Sequence, residues 1–497
     1  MSREDLEIMI DVQALITFII YFIFLMFVGY YFYKNTTNVE DYLLGGRGMG
    51  SWVTALSAQA SDMSGWLLMG LPGAVYAGGT KESWIAIGLF IGTVLNWQFV
   101  APRLRVYTGK LNSMTLASFF EDRFKDPTGL IRIIGAIITL VFFTIYASSG
   151  LVAAGKLFKA MFSIDYSLAV LIGGFVIILY TFLGGFLAVC WTDLFQGLLM
   201  FFAITVVPAL AYNNVGGWSG IKEAMLAREI SIGIIPEVSM PIIAIISTMA
   251  WGLGYFGQPH ILARFMSIGS IKKIPKSMTI AVVWVFISLG GAIVVGLISI
   301  PMFSSIPDPE WVFIEMIRNI FNPWVGGILL AAILSAIMST IDSQLLVSSS
   351  TLTEDFYDKI INREATEKEL MHVGRICVLL ISLVALFLAM DPDSTVLGLV
   401  SYAWGGFGAA FGPIVLFSLF SRKTSWQSVL TGMIVGTIVL VIWKQIGLGA
   451  TMYEIVPGFI ANVVAIMIMN LFYPAQNEEM LAEFDDVVYK AKHKITQ

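Results

Sequence analysis

About thirteen times along this chain of 497 residues, polar side chains give way to an apolar run. Each run approaches the length, about 20 residues, that a helix needs to cross the hydrocarbon core of a bilayer. The runs lie at 12–33, 50–77, 84–102, 130–160, 167–188, 194–213, 241–263, 277–301, 321–349, 376–391, 396–420, 427–446 and 455–473. Composition agrees with them: 57% of residues are hydrophobic and only 13% are charged, about half the charged share of a soluble chain. Too few charges remain to coat a water-soluble surface. Two distant cysteines (Cys190, Cys377) and three histidines (His260, His372, His493) argue against a transition-metal site. A net charge of −5 offers no basic face to nucleic acid. The fold class this implies is an all-α polytopic membrane protein, read as a single integral-membrane domain over 1–497.

Charge also suggests an orientation. The segment before the first run is acidic (Glu4, Asp5, Glu7, Asp11) and no small-residue cleavage site follows the run, so it reads as a retained helix with the N-terminus outside. In that arrangement 21 of the 29 Lys and Arg fall in inner connections. They run from Lys34, Arg47 and Arg103 through Arg264 and Arg363 to Lys490, Lys492 and Lys494. Basic residues accumulate on the cytoplasmic side, so the C-terminus is expected inside, after an odd number of crossings. The remaining polar stretches, including the outer loop 214–240 and the tail 474–497, are short enough to be connections with surface helices.

Four runs carry residues that lipid-facing helices do not need. The second contains Ser57-Ala-Gln-Ala-Ser-Asp62-Met-Ser-Gly65-Trp66. Small-residue packing explains the serines, but a carboxylate at membrane depth is expensive. Ser-Asp-Met-Ser-Gly is also poor helix sequence; unwinding there frees carbonyls such as those of Ala60 and Met63 for a small hard cation. The seventh run, Trp251-Gly-Leu-Gly-Tyr255-Phe-Gly-Gln-Pro259-His260, has three glycines and a proline that should interrupt it. Trp251 and Tyr255, four apart, would share a helical face and flank a small organic ligand, core packing being the plainer reading. His260 reads as a polar helix-end residue near the inner side.

In the ninth run Ser335, Ser339, Asp342 and Ser343 form one helical stripe. Hydroxyl and carboxylate oxygens suit an alkali cation; back-bonding to the helix explains the serines but not Asp342. The eleventh run, Ser401 to Pro413, is dense in glycine and reads as tight packing, with Trp404 near the pathway. The interrupted second and seventh runs are five apart, an offset that reverses topology. Such spacing is expected of an inverted repeat whose broken first helices meet at the midplane.

At these residues the chain resembles the sodium:solute symporter family, in particular its bacterial proline-transporting members. The matching stretches are Asp41–Arg47, Thr54–Ala74, Phe142–Tyr146, Gly184–Asp193, Trp251–Met266 and Val400–Pro413. The resemblance implies a LeuT-like five-plus-five core, 50–213 and 241–420. One leading helix (12–33) and two trailing helices (427–473) would flank it. It implies sodium-coupled symport of L-proline, with Na+ as coupling ion, no organic cofactor, and a monomer in the cell membrane as the functional unit. The family's sodium site maps to the carbonyls of Ala60, Met63 and Ala336 and the hydroxyls of Ser339 and Thr340. Its proline pocket maps to Ser64, Gly65, Trp66, Tyr146, Trp251, Tyr255 and Pro259. Asp62 and Ser64 match positions of sodium coupling, and Arg47 a sensitive inner-loop position. Asp193 matches a carboxylate that some relatives use for a second cation.

The alternatives are a sodium symporter for another small solute (pantothenate, a sugar or a carboxylate) and, from other classes, a cation channel, an intramembrane enzyme or a sensor. A channel needs no second broken helix, an enzyme would need more His or Cys than the chain has, and the tail is too short for a signalling domain. Asp342-Ser343 departs from the pattern of the proline transporters and, with Asp193 and Ser339, is a candidate second cation site or proton relay. A second ion should give a sodium Hill coefficient above one that falls toward one in Asp342→Ala. A coefficient near one in both proteins, with unchanged sodium affinity, excludes it.

Overall fold

The computed structural model describes residues 3–33, 39–183, 185–230, 241–362 and 364–495. Lys34, Arg363, Gly184 and the 231–240 part of the outer loop lie outside the described residues. In chain order the helices are α1 (Arg3–Tyr33), α2 (Val39–Leu44), α3 (Ser51–Asp62), α4 (Leu71–Gly78), α5 (Ser83–Leu95), α6 (Ala101–Leu111) and α7 (Leu116–Phe124). Then come α8 (Leu130–Phe162), α9 (Tyr166–Leu183), α10 (Phe186–Asn214), α11 (Gly217–Ala227), α12 (Ile242–Met249), α13 (Pro259–Ser267) and α14 (Ile274–Met302). The rest are α15 (Val312–Ile320), α16 (Pro323–Ser350), α17 (Glu367–Leu388), α18 (Val396–Phe420), α19 (Trp426–Gln445), α20 (Ile455–Phe472) and α21 (Glu478–His493).

Every apolar run is helical, and ten helical segments among the described residues are long and apolar enough by themselves to cross a membrane. Their outward sides are apolar: Phe27, Phe286, Phe387 and Leu471 are each more than half exposed, as a lipid-facing belt requires.

The second and seventh runs are interrupted as their composition suggested. After Asp62 the backbone leaves the helix at Met63 (φ −82°, ψ 69°) and helical structure resumes at Gly65 and the π-turn Trp66–Gly70. In the seventh run α12 tightens into a 3₁₀ stretch, Ala250–Gly257, then breaks at extended Gln258 before Pro259 starts α13. Proline fits there because the first turn of a helix needs no N–H from it.

Two of the boundaries that differ from expectation bear on the site. The sixth helix begins at Phe186, not 194, because Gly185 is extended (φ −129°, ψ −178°) and the polar Thr192 and Asp193 face the protein interior. Asp193 therefore lies inside α10. The restart at Pro259 carries the seventh segment to Ser267, which places Arg264 within the protein at zero exposure and not in an inner connection. His260 does lie at a helix end, the start of α13, but it is fully buried there.

The 3₁₀ stretch packs on α5 through bare backbone. A methyl group on Gly88 would collide with the Met249 carbonyl oxygen, and one on Gly252 with the Gly88 oxygen. Small residues at such crossings let two backbones touch.

Where the first broken segment begins and the second ends, an isolated parallel bridge joins Met49 to Ile268. Met49 N donates to the Ser267 carbonyl at 3.2 Å and Gly269 N to the Met49 carbonyl at 3.0 Å. The tail helix α21 buries Met480, Phe484 and Val487 and pairs Asp486 with Lys110 at 2.7 Å and Glu483 with Lys125 at 3.0 Å.

Because the Gly88–Gly252 seam has no room for a methyl group, Gly88→Ala should destabilise the protein by about 1–3 kcal/mol, the usual cost of overpacking. The check is the melting temperature of the detergent-purified variant; an unchanged value would refute the close approach.

Candidate substrate and ion site

The break after Asp62 leaves carbonyls without helical partners at membrane depth, and side chains from other elements meet them. The Ala60 carbonyl accepts from Ser339 Oγ at 2.8 Å and Thr340 Oγ1 at 3.4 Å, both on α16. Ser339 Oγ also lies 3.3 Å from the Ala336 carbonyl. Four of the five sodium-site residues (Ala60, Ala336, Ser339, Thr340) are thus within hydrogen-bonding distance of one another in a chain of contacts. The fifth, Met63, is the residue at which α3 ends. An oxygen-only cluster of carbonyls and hydroxyls suits a hard monovalent cation.

One turn on, the Asp62 carbonyl accepts from Trp66 Nε1 at 3.2 Å and from Tyr146 Oη of α8 at 3.3 Å. Tyr255 Oη donates to the Asp62 carboxylate at 2.5 Å, tying the second broken segment to the first. Trp66 and Trp251 rings lie 6.2 Å apart. Ser64 Oγ accepts from Trp66 N at 3.4 Å. Gly65 belongs to the same turn, but its Cα faces Ala153, whose methyl would be 2.9 Å from an added Cβ; the glycine is required by packing between helices. Asp62, Ser64, Trp66, Tyr146, Trp251 and Tyr255 are all buried, so the structure is closed over this site from both sides.

Trp251 and Tyr255 do not share a helical face. In a 3₁₀ turn residues three apart eclipse, so residues four apart diverge by about 120°. Trp404 stands against both, at 6.5 Å from Trp251 and edge-on at 5.1 Å from Tyr255, and its Nε1 donates to the Trp251 carbonyl at 2.7 Å. The other carbonyls freed in this stretch are met similarly. Asn96 Nδ2 reaches that of Tyr255 at 3.0 Å, and Gln258 Nε2 reaches those of Gly254 and Trp404 at 3.3 and 3.2 Å. Pro259, next in sequence, opens α13. His260 packs its ring edge-on to Phe143 and Tyr146.

Arg264 is the residue that sequence reasoning misplaces. Its guanidinium donates to Asp193 at 3.1 Å, to Ser57 Oγ at 3.0 Å and to Ser343 Oγ at 2.5 Å. Ser57 Oγ in turn donates to Asp193 at 2.6 Å. Asp193 and Ser343, candidates for a second cation site, are therefore brought together around a cation the protein itself supplies. Neither oxygen of Asp342 has a well-aligned hydrogen-bond partner, since Ser343 is turned toward Arg264. The only sequence signal for this pair is a lone arginine closing an apolar run, which equally marks a membrane boundary. Arg47 lies apart from this cluster, where it pairs with Glu40 at 3.1 Å and donates to the Ser113 carbonyl at 2.7 Å.

This arrangement, two interrupted helices crossing beside a buried oxygen cluster and an aromatic cage, is that of a membrane transporter that carries a small solute with a cation. The chain belongs to the sodium:solute symporter family, whose family model matches residues 42–436. Among its relatives, the "Sodium/proline symporter" of Escherichia coli (strain K12) is 47% identical over 486 residues, 96% of each chain. The "High-affinity proline transporter PutP" of Bacillus subtilis (strain 168) is 47% identical over 469 residues, 93% of this chain and 98% of that one. In fold, a Na+-coupled sialic acid symporter solved in a substrate-bound outward-open state superposes with a TM-score of 0.79 at 20% identity, over 93% of this chain and 99% of that one. These relatives are transporters, not enzymes.

Because Asp193 and Arg264 are both fully buried, Arg264→Gln strands a carboxylate, at a cost of about 3–5 kcal/mol. The variant should melt well below wild type, and Arg264→Gln with Asp193→Asn should recover part of the loss. A single variant as stable as wild type would show that the pair bears none of the fold's stability.

Proposed function

We propose that the chain is a sodium-coupled symporter that carries L-proline into the cell by alternating access. The observation that carries this reading is the meeting of Ala60, Ser339 and Thr340 oxygens directly beside the Asp62 break, where Trp66, Tyr146 and Tyr255 converge. The names of relatives that align over nearly the whole chain support proline as the solute. Thirteen crossings, the N-terminus outside and the C-terminus cytoplasmic, a five-plus-five inverted-repeat core and a monomeric functional unit complete the proposal. The two interruptions, five runs apart, support the repeat.

In this mechanism sodium takes the place of the hydrogens now shared between the Ala60 carbonyl and the α16 hydroxyls, with Ala336 and Met63 carbonyls completing its shell. The ion would thereby fix the end of α3 against α16 and order the break. The helix that restarts at Gly65–Trp66 turns its amino end, the positive end of its dipole, toward the proline carboxylate. Trp66, Tyr146, Trp251 and Tyr255 cover the pyrrolidine ring. Asp62 and Asp342 have no ion-pair partner within 4 Å among the described residues, so a cation entering beside them would meet carboxyl groups with no counter-charge of their own. Each ligand raises affinity for the other by the same factor.

The test is radiolabelled proline uptake into proteoliposomes under separate sodium, lithium and proton gradients. Uptake should require sodium, and Ser339→Ala and Thr340→Ala should each raise the sodium concentration for half-maximal uptake far more than they alter proline selectivity. Sodium-independent uptake, or wild-type sodium dependence in both variants, would overturn the reading.

A further inference from the structure

Tyr453 belongs to neither half of the proposed repeat. It sits in the connection between α19 and α20, which turns through Gly447 in the left-handed region (φ +79°) and returns to the bundle at Ile455. The connection is tied down at several points. Trp443 Nε1 donates to the Met452 carbonyl at 2.9 Å, and Lys444 pairs with Glu454 at 3.4 Å. Tyr453 itself bonds to two different elements of the core. Its backbone N donates to Ser247 Oγ of α12 at 2.7 Å, and its phenol donates to the Ser401 carbonyl in the first turns of α18 at 2.6 Å.

Its ring is nearly buried and lies 5.5 Å from that of Trp251, inclined by 32°. Space for it is made by α18: a Cβ on Gly405 would sit 3.1 Å from the phenol oxygen. Trp251 is the member of the aromatic cage that also contacts Trp66 and receives the Trp404 N–H on its carbonyl. Thus an aromatic side chain from the trailing helices backs the cage residue nearest the outer ends of α12 and α18, and both of its polar groups hold on to those two elements. A phenylalanine would fill the same gap without the bond to Ser401.

We propose that Tyr453 is a positioning residue for uptake: pressed against Trp251 by the α19–α20 connection, it forms the outer wall of the solute site and seals it when solute and ion are bound. The proposal rests on the proline-symport reading above. Opening toward the outside then requires the connection to release Ser247 and Ser401 together, so the trailing helices take part in gating although they contribute nothing to the ion site.

The experiment measures initial uptake rates in proteoliposomes at saturating sodium for wild type, Tyr453→Ala and Tyr453→Phe. It is paired with labelling of Tyr453→Cys by a membrane-impermeant thiol reagent from the outer side; Cys190 and Cys377 are buried, so labelling of the wild type gives the background. Removing a stacked aromatic should raise KM for proline about tenfold with kcat changed much less, and Tyr453→Phe, which keeps the ring, should restore KM to within about twofold of wild type. The thiol introduced by Tyr453→Cys should react in the absence of ligands and be protected by sodium with proline together, more than by either alone. An unchanged KM in Tyr453→Ala, or labelling of the introduced thiol that is insensitive to the ligands, would overturn the proposal; should Tyr453→Ala fail to accumulate in the membrane, the labelling decides. Absence of sodium-dependent proline uptake in wild type would instead overturn the functional reading itself.

Discussion

A backbone carbonyl that loses its helical partner inside a bilayer has no water to turn to, and this structure interrupts two helices at that depth. The rest of the core is arranged to meet the groups so released. Ser339 and Thr340 reach the Ala60 carbonyl, Trp66 and Tyr146 that of Asp62, Trp404 that of Trp251, and Asn96 that of Tyr255. Each donor comes from a different helix or from the far side of the break. The interruptions are therefore tolerable only while α5, α8, α16 and α18 stay in place around them. A solute or ion that replaces one of these donors enters a site whose shape is already determined by the need to satisfy backbone.

Much of this is legible in the sequence, for a physical reason. Ser-Asp-Met-Ser-Gly and the glycine-rich stretch ending in Gln258-Pro259 break helices by local chemistry, so their interruptions can be read from a single run. The same holds for the stripe of oxygens on α16. What cannot be read is which residues come together across runs. Arg264 reads as a membrane edge because a lone arginine after an apolar stretch looks the same whether or not a buried Asp193 awaits it. Trp251 and Tyr255 read as one face because the 3₁₀ winding, which moves them apart, is dictated by contact with Gly88 and Gly92 of α5. Tyr453 carries no distinguishing pattern in sequence, and Trp404 shows only as an aromatic in a glycine-dense run.

Charge is unevenly resolved at membrane depth. Asp193 is neutralised internally by Arg264, and two serines complete the guanidinium's donors, so this part of the core is held by a permanent ion pair. Asp62 instead receives only the Tyr255 hydroxyl. The contrast separates a carboxylate that braces the second broken segment against α10 from one without a charged partner among the described residues. Buried pairs of the first kind are costly to break.

The ends of the two broken segments are clasped by little backbone. Met49 and its partners exchange two backbone hydrogen bonds, and Arg105 adds a third to the Ile268 carbonyl. At a net worth of about 1 kcal/mol each, these three bonds contribute roughly 3 kcal/mol to keeping the ends together, a factor of about a hundred in population. A contribution of that size is one that the binding of a small ligand elsewhere can offset.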